Sequence, residues 1–365
     1  MKIKNLHIMP KDKFDEPFIE FINKNFKSRD HFFLIISSKK TYKNEYKDVN
    51  NVYVYLSNFP NNIILKCIVL PIEMIKIFIC YFYYFNSSNK VILHHKELRL
   101  YMFLFIFRNF LKKTYWGIWG IDGDKEKKGI FNGIIKKIEF FVRSNFKGYI
   151  TQVKGDYEII KQRTNCKGKY YDCFMYPSNL YKEIPLKEYE KEEIFIQAGN
   201  SAQNCNNHLE IFEKLKIYKD EKIKIFCILS YGDEGNKDNI IKKGKEIFGD
   251  KFVPIVDFMK FDEYMEFLSK IDIAIFAHNR QQAVGNITSL LSMKKTVYLK
   301  ESVTTYGMLE DLGVKVKSFD KFENLEKFDD KILEKNKEII REKFSEKRLV
   351  EDWKKIFEDD INVKN

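Results

Sequence analysis

The sequence predicts an α/β protein of two tandem doubly wound domains, each a parallel sheet covered by helices on both faces. Three observations lead there. The chain has 365 residues, too many for one ordinary α/β domain and enough for two. Its composition, 44% hydrophobic and 32% charged, is globular. Short β-rich runs alternate with helical stretches in both halves, the rhythm of parallel strands joined by crossover helices.

In the first half, Leu6–Met9, His31–Ser37, Val52–Leu56, Val91–His94, Tyr115–Trp119, Gly148–Thr151 and Tyr170–Tyr176 read as strands. Periodic segments such as Glu16–Phe26 and Ile130–Phe146 separate several of them. The pattern weakens over Tyr176–Glu193, where Pro177, Ser178, Asn179 and Pro185 precede a charged run and mark a linker. A cleaner alternation follows. Its strands are Ile194–Ala198, Ile223–Leu229, Phe252–Val256, Ile273–Ala277, Thr296–Leu299 and Val314–Val316. Helices are expected between them at His208–Leu215, Ile240–Phe248, Phe261–Ile271, Asn286–Met293 and Tyr306–Leu312. Asp330–Phe357 reads as one long charged helix. The expected domains are residues 1–180 and 181–335, with a helical tail over 336–365 that packs back on the first domain.

Charge is unevenly spread. Residues 1–180 hold 31 Lys and Arg against 16 Asp and Glu, whereas residues 181–365 hold 33 against 36. AT-rich coding accounts for abundant Lys but not for that difference, which suggests that the first half faces something anionic. The six cysteines show no C-x-x-C spacing, so neither a zinc site nor a redox motif is indicated, and reduced thiols are expected. The first ten residues lack an apolar core with a small-residue cleavage site, so no signal peptide is expected.

Ile63–Phe85 is apolar and long, but Lys66, Pro71, Glu73 and Lys76 argue against a membrane span. Leu98–Lys113 has an aromatic and aliphatic centre flanked by Arg99, Arg108, Lys112 and Lys113. Both stretches suit core helices with basic edges, or helices lying on an anionic membrane.

Three constellations could carry chemistry. Gly199-Asn200-Ser201 follows a buried strand, with Asn207 and His208 opening the next helix. A small-residue turn lets backbone N–H groups approach a diphosphate at a helix start. His278 to Ser289 follows another strand. Here Arg280 suits a phosphate, Gln281 and Gln282 offer amides, Gly285 permits close approach, and Asn286 or Thr288 can donate at the helix start. The third runs from Tyr115 to Asp124, where Trp116 and Trp119 precede a turn carrying Asp122 and Asp124. Sugars stack on aromatic faces, and a carboxylate at a strand end can act as general base. His94 and His95 end another strand and could line the same cleft. Ordinary tight turns, acidic turns and packed histidines remain the alternatives.

Two tandem doubly wound domains whose parallel sheets face a central cleft form the GT-B architecture, which serves glycosyltransferases, sugar-nucleotide epimerases and phosphorylases alike. Within it the sequence resembles the bacterial TDP-N-acetylfucosamine:lipid II N-acetylfucosaminyltransferases of enterobacterial common antigen synthesis, which are 4-alpha-L-fucosyltransferase-like. Trp119-Gly120-Ile121-Asp122 matches their aromatic Trp-Gly-x-Asp segment. Gly199-Asn200-Ser201 with Asn206-Asn207-His208 matches a second segment, and Phe261-Asp262-Glu263-Tyr264 a third. Arg280-Gln281-Gln282-Ala283-Val284-Gly285 matches a fourth, and order and spacing agree from about His94 to Tyr306. Two segments depart: Asp122-Gly123-Asp124 replaces the family's Asp-Leu-Tyr, and Lys300-Glu301-Ser302-Val303 replaces its Asn-Arg-Glu-Asn.

The resemblance implies a GT-B fold, no obligatory metal and no cofactor, a TDP- or UDP-sugar held by the second domain, and a polyprenyl-diphosphate-linked saccharide as acceptor. The combined expectation is a cytoplasmic transferase peripheral to the inner face of the membrane. Asp122 or Asp124 would be the base, and nucleic acid is not a partner. A sugar-nucleotide epimerase and a non-enzymatic anionic-ligand binding protein are the alternatives.

Overall fold

The computed structural model describes residues 2–37, 46–57, 63–120, 130–184 and 192–359. They form two compact units, Met1–Ser178 with Leu349–Asn365, and Asn179–Arg348.

The first unit is built on seven strands: β1 (Ile3–Pro10), β2 (His31–Ser37), β3 (Val52–Leu56), β4 (Ser88–Leu93), β5 (Thr114–Gly117), β6 (Gly148–Ile150) and β7 (Lys169–Tyr171). They are parallel, in the order β3-β2-β1-β4-β5-β6-β7. Alternation sends Leu6, Ile8, Leu34, Val91, Leu93 and Trp116 to one face, where they pack in one core with α2 (Ile63–Ser87), α3 (Leu98–Ile106), α4 (Ile130–Ser144) and α5 (Lys154–Thr164). The other face carries His7, Phe33, Lys90 and Tyr115 under α1 (Asp15–Asn25) and α12 (Glu346–Glu358). Lys90, 3% exposed, crosses that face to the last carbonyls of α12, donating to Ile356 O and to Phe357 O at 3.2 Å. A buried ammonium needs such acceptors, and the carbonyl end of a helix favours positive charge. Trp353 of α12 is fully buried and donates to Met175 O at 3.0 Å.

The second unit contains β8 (Ile194–Ala198), β9 (Ile223–Ile228), β10 (Phe252–Ile255), β11 (Ile273–Phe276), β12 (Thr296–Leu299) and β13 (Lys317–Ser318). They are parallel, in the order β10-β9-β8-β11-β12-β13. Its helices are α6 (His208–Leu215), α7 (Glu234–Phe248), α8 (Phe261–Lys270), α9 (Val284–Ser292), α10 (Thr304–Asp311) and α11 (Asp330–Lys343). Polar caps set two starts: Asp233 accepts from Asn236 N at 2.7 Å, and Asp329 from Ile332 N at 2.8 Å.

Several sequence expectations are corrected. Of the Tyr170–Tyr176 run only Tyr170 and Tyr171 are strand, within β7, and the stretch beyond includes Met175 in a left-handed conformation (φ 64°). The last strand lies at Lys317–Ser318, beyond Val314–Val316. The Asp330–Phe357 helix is broken: buried Phe344 ends α11, and Ser345 Oγ accepts from Arg348 N at 3.3 Å to start α12. Leu98–Lys113 is α3 followed by a separate 3-10 turn at Arg108–Lys113.

Pro71 does not end α2, which buries Ile77, Tyr81 and Phe85 and exposes Ile72, Ile75, Ile79 and Tyr83. Among the described residues, its Val69–Ser87 stretch alone is long and apolar enough to cross a membrane.

Candidate functional site

In a doubly wound sheet, ligands bind beyond the carboxyl ends of the strands where the strand order reverses. In the second unit that point lies between β8 and β11. Gly199 follows β8 with φ +66°, and a Cβ there would come within 2.5 Å of His208 Nε2. Asn206, fully buried, accepts from Asn200 N at 3.0 Å and donates to Ser201 Oγ at 3.0 Å, so the turn is braced from the start of α6. Asn200 spans the gap: its Nδ2 donates to the Tyr231 hydroxyl at 3.0 Å, and His278 Nε2 lies 3.1 Å from its Oδ1. Asn207, left-handed at φ 50°, donates to Ala277 O at 2.6 Å and so ties α6 to the end of β11.

Among the described residues of this unit, six buried polar atoms have no partner: Thr305 Oγ1 in α10 and, grouped near the reversal, both ring nitrogens of His208, Gln197 Oε1, Gln282 Nε2 and Asn286 Oδ1. Of that group, Gln197 lies in β8, and the others flank the same strand ends. Buried polar atoms are normally paired, so such a group fits a polar ligand. Burial holds His208 down at about 4, and burial with the nearby His208, Arg280 and Lys300 holds His278 at about 3, so both rings are neutral at pH 7. The positive charge comes instead from Arg280, whose one hydrogen-bond contact among the described residues is Gln203 Oε1 at 3.4 Å, and from Lys300 after β12, paired with Glu210 at 2.6 Å.

Gln281 and Gly285 lie half-buried in the same segment. Thr288 differs from its expected role: its hydroxyl proton is engaged by the first turn of α9, with Val284 O at 3.0 Å and Gly285 O at 3.2 Å. Asn286 donates through Nδ2 to the Tyr264 hydroxyl, which fixes its side chain.

The reversal in the first unit lies between β1 and β4. His94 is fully buried there, and Trp116, 6% exposed, belongs to the helix-covered core, so both are packing residues that do not line an open surface. His95 is half-buried, with Nδ1 unpartnered and Nε2 3.9 Å from Glu97 Oε2, and Glu97 accepts from the Tyr81 hydroxyl at 2.7 Å. Trp119 donates from Nε1 to the Tyr176 hydroxyl at 3.0 Å and packs edge-on against Phe14. Asp122 and Asp124 lie outside the described residues.

Sequence reasoning gave no role to Asp12, two residues past the end of β1. Burial raises its carboxyl above the usual range although Phe14 N donates to it at 2.7 Å. A carboxylate two residues past a strand end was a readable signal. Lys300 and Tyr264 were visible in the sequence but not assigned to the site.

A family model described as 4-alpha-L-fucosyltransferase, glycosyl transferase group 56, matches residues 76–316. Among solved structures, the Candida albicans trehalose-6-phosphate phosphatase N-terminal domain aligns over 98% of this chain and 97% of its own, with 8% identity and TM-score 0.68. Anabaena HepE in complex with UDP and glucose aligns over 98% and 100%, with 9% identity and TM-score 0.66. A glycosyltransferase from Rickettsia africae aligns over the full length of both chains, with 14% identity and TM-score 0.63. At such identities these likenesses establish the fold alone.

Proposed function

The chain belongs to the 4-alpha-L-fucosyltransferase family, glycosyl transferase group 56, and on that premise we propose that it moves a deoxyamino sugar from a TDP or UDP donor to a polyprenyl-diphosphate-linked saccharide in cell-surface glycan synthesis. By family and by its two Rossmann-like units it is a GT-B glycosyltransferase.

The observation that carries the donor placement is the set of unpartnered buried polar atoms grouped at the β8/β11 reversal beside Arg280. The Gly199–Ser201 turn offers backbone N–H groups to the diphosphate, and Arg280 and Lys300 stabilise it as it leaves. Gln281, Gln282, Asn286, Asn207 and His208 are the candidate contacts to sugar and base. The UDP held by HepE supports a nucleotide partner.

The first unit takes the acceptor, with Trp119 and His95 beside it and Asp122 or Asp124 as general base. Association with the inner face of the cytoplasmic membrane is supported by the exposed apolar stripe of α2 and by Arg108 and Lys112, both exposed. Lys113 takes no part, because its ammonium donates to Phe85 O and Ser88 O at 2.6 Å.

Titration calorimetry with TDP and UDP tests the donor site. Losing a charged hydrogen-bond donor costs about 1.5–3 kcal/mol, so Arg280→Ala should weaken diphosphate binding by about ten- to a hundredfold. Unchanged affinity removes Arg280 from the site, and a parent protein that binds neither diphosphate contradicts the donor placement.

A further inference from the structure

The first unit carries a line of polar side chains through its interior that neither the donor site nor the proposed base uses. It begins at His31, the first residue of β2, passes through His7 of the adjacent β1, and reaches His94 beyond β4 on the far side of β1. His31, His7 and His94 are 3%, 0% and 0% exposed. His7 Nε2 lies 3.1 Å from His31 Nδ1, and His7 Nδ1 lies 3.0 Å from His94 Nε2. His94 Nδ1 lies 2.7 Å from the buried Tyr176 hydroxyl, which accepts from Trp119 Nε1 at 3.0 Å. Rings enclose the line: Phe33 stacks on His7 at 4.8 Å, Phe18 packs on His94 at 4.8 Å, and Trp353 packs on Phe18 at 5.2 Å.

The direction of every bond follows from one end. An indole nitrogen can only donate. Trp119 therefore occupies a lone pair of Tyr176, and the hydroxyl proton of Tyr176 goes to His94 Nδ1. His94 then carries its proton on Nε2 and donates to His7 Nδ1. His7 likewise carries its proton on Nε2 and donates to His31 Nδ1. The opposite direction would leave the buried Tyr176 proton without an acceptor, which proteins rarely tolerate.

We propose that this one-directional chain holds the Trp119 indole in place, which makes Tyr176 and His94 positioning residues for acceptor binding. The functional half rests on the reading above that Trp119 lies beside the acceptor; the bond direction does not. The chain links a motif residue to the sheet interior, whereas Trp119 itself sits at a loop start followed by Gly120 with φ 65°. A ring on such a segment needs an anchor if a sugar is to stack on it.

Two measurements on the full-length protein test it. Selective 15N-histidine labelling reports the tautomers, and His7, His31 and His94 should all be protonated on Nε2. A proton on Nδ1 of any of the three overturns the direction. Steady-state kinetics with a nucleotide-sugar donor and a lipid-linked acceptor then compare Tyr176→Phe with Trp119→Ala. Tyr176→Phe removes only the relay oxygen. It should shift the Trp119 indole N–H resonance and raise the acceptor KM by about three- to tenfold, with diphosphate affinity unchanged. An unchanged acceptor KM in folded Tyr176→Phe, with Trp119→Ala impaired, overturns the positioning role. An unchanged acceptor KM in Trp119→Ala overturns the acceptor reading of Trp119 and the positioning role with it.

Discussion

Gly199→Ala puts the smallest side chain where the donor turn has least room. The added Cβ meets two penalties. A left-handed backbone at φ +66° costs a non-glycine residue about 1–2 kcal/mol. The Cβ also lies 2.5 Å from His208 Nε2 and 3.1 Å from Asn206 Oδ1. His208 is 2% exposed at the start of α6 and Asn206 is fully buried, so neither can yield freely. Overpacking of this kind adds about 1–3 kcal/mol. The expected destabilisation is therefore about 2–5 kcal/mol, measured as a shift in the denaturant midpoint of the second unit. Because Asn206 Oδ1 receives Asn200 N–H, moving it opens the turn, and diphosphate affinity should fall at least about tenfold. Gly313→Ala is the control: its φ is +80°, but the nearest atom to its added Cβ is Ile339 Cδ1 at 3.8 Å, so it meets only the backbone cost. Parent-like stability and affinity in Gly199→Ala, or equal losses in the two variants, would refute the claim that His208 and Asn206 brace the turn.

Asp122→Asn should lower transfer by about 10²–10⁴ with diphosphate affinity near normal, and Asp124→Asn should not; a loss confined to Asp124→Asn moves the base by two residues, and activity in both directs attention to Asp12 and His95. Vesicle sedimentation should show salt-sensitive binding to anionic lipid, weakened by Ile75→Ser with Ile79→Ser and, by about 1 kcal/mol each, by neutralising Arg108 and Lys112; equal binding to neutral vesicles rules out the electrostatic part. Acid should loosen the first unit early. Burial holds His31 at about 4 in the folded state against 6.5 when unfolded, so its contribution is complete above 6.5 and is lost as pH falls towards 4. That amounts to about 2 kcal/mol by pH 5, and stability unchanged between pH 7.5 and 5 contradicts it.

Much of the architecture was legible because buried parallel strands read as compact apolar runs whatever surrounds them. Which face each residue serves was not legible. Parallel strands are covered on both sides, so alternation alone cannot tell that Trp116 turns into the helix-covered core or that His94 is sealed under Phe18. Local competition hid other roles. Thr288 opens a helix and looks like a ligand donor, yet its hydroxyl bonds to its own backbone, and Lys113 looks like a surface cation but caps the carbonyl end of α2. The helix break at Phe344 and Ser345 has no Gly or Pro to announce it; a buried ring and a serine cap produce it. The Gly199 turn and the Arg280 segment were readable because both follow strand ends directly, and the sheet order places them at one reversal.

The most direct test of the central claim is product formation. The full-length protein is incubated with TDP- and UDP-linked deoxyamino sugars and a polyprenyl-diphosphate-linked saccharide, and the lipid fraction is analysed by mass spectrometry. The account predicts a lipid-linked saccharide longer by one sugar, formed in step with release of nucleoside diphosphate and strongly reduced in Arg280→Ala. Donor isomerised or left intact, with no sugar added to the lipid by a protein that binds the diphosphate, would contradict it.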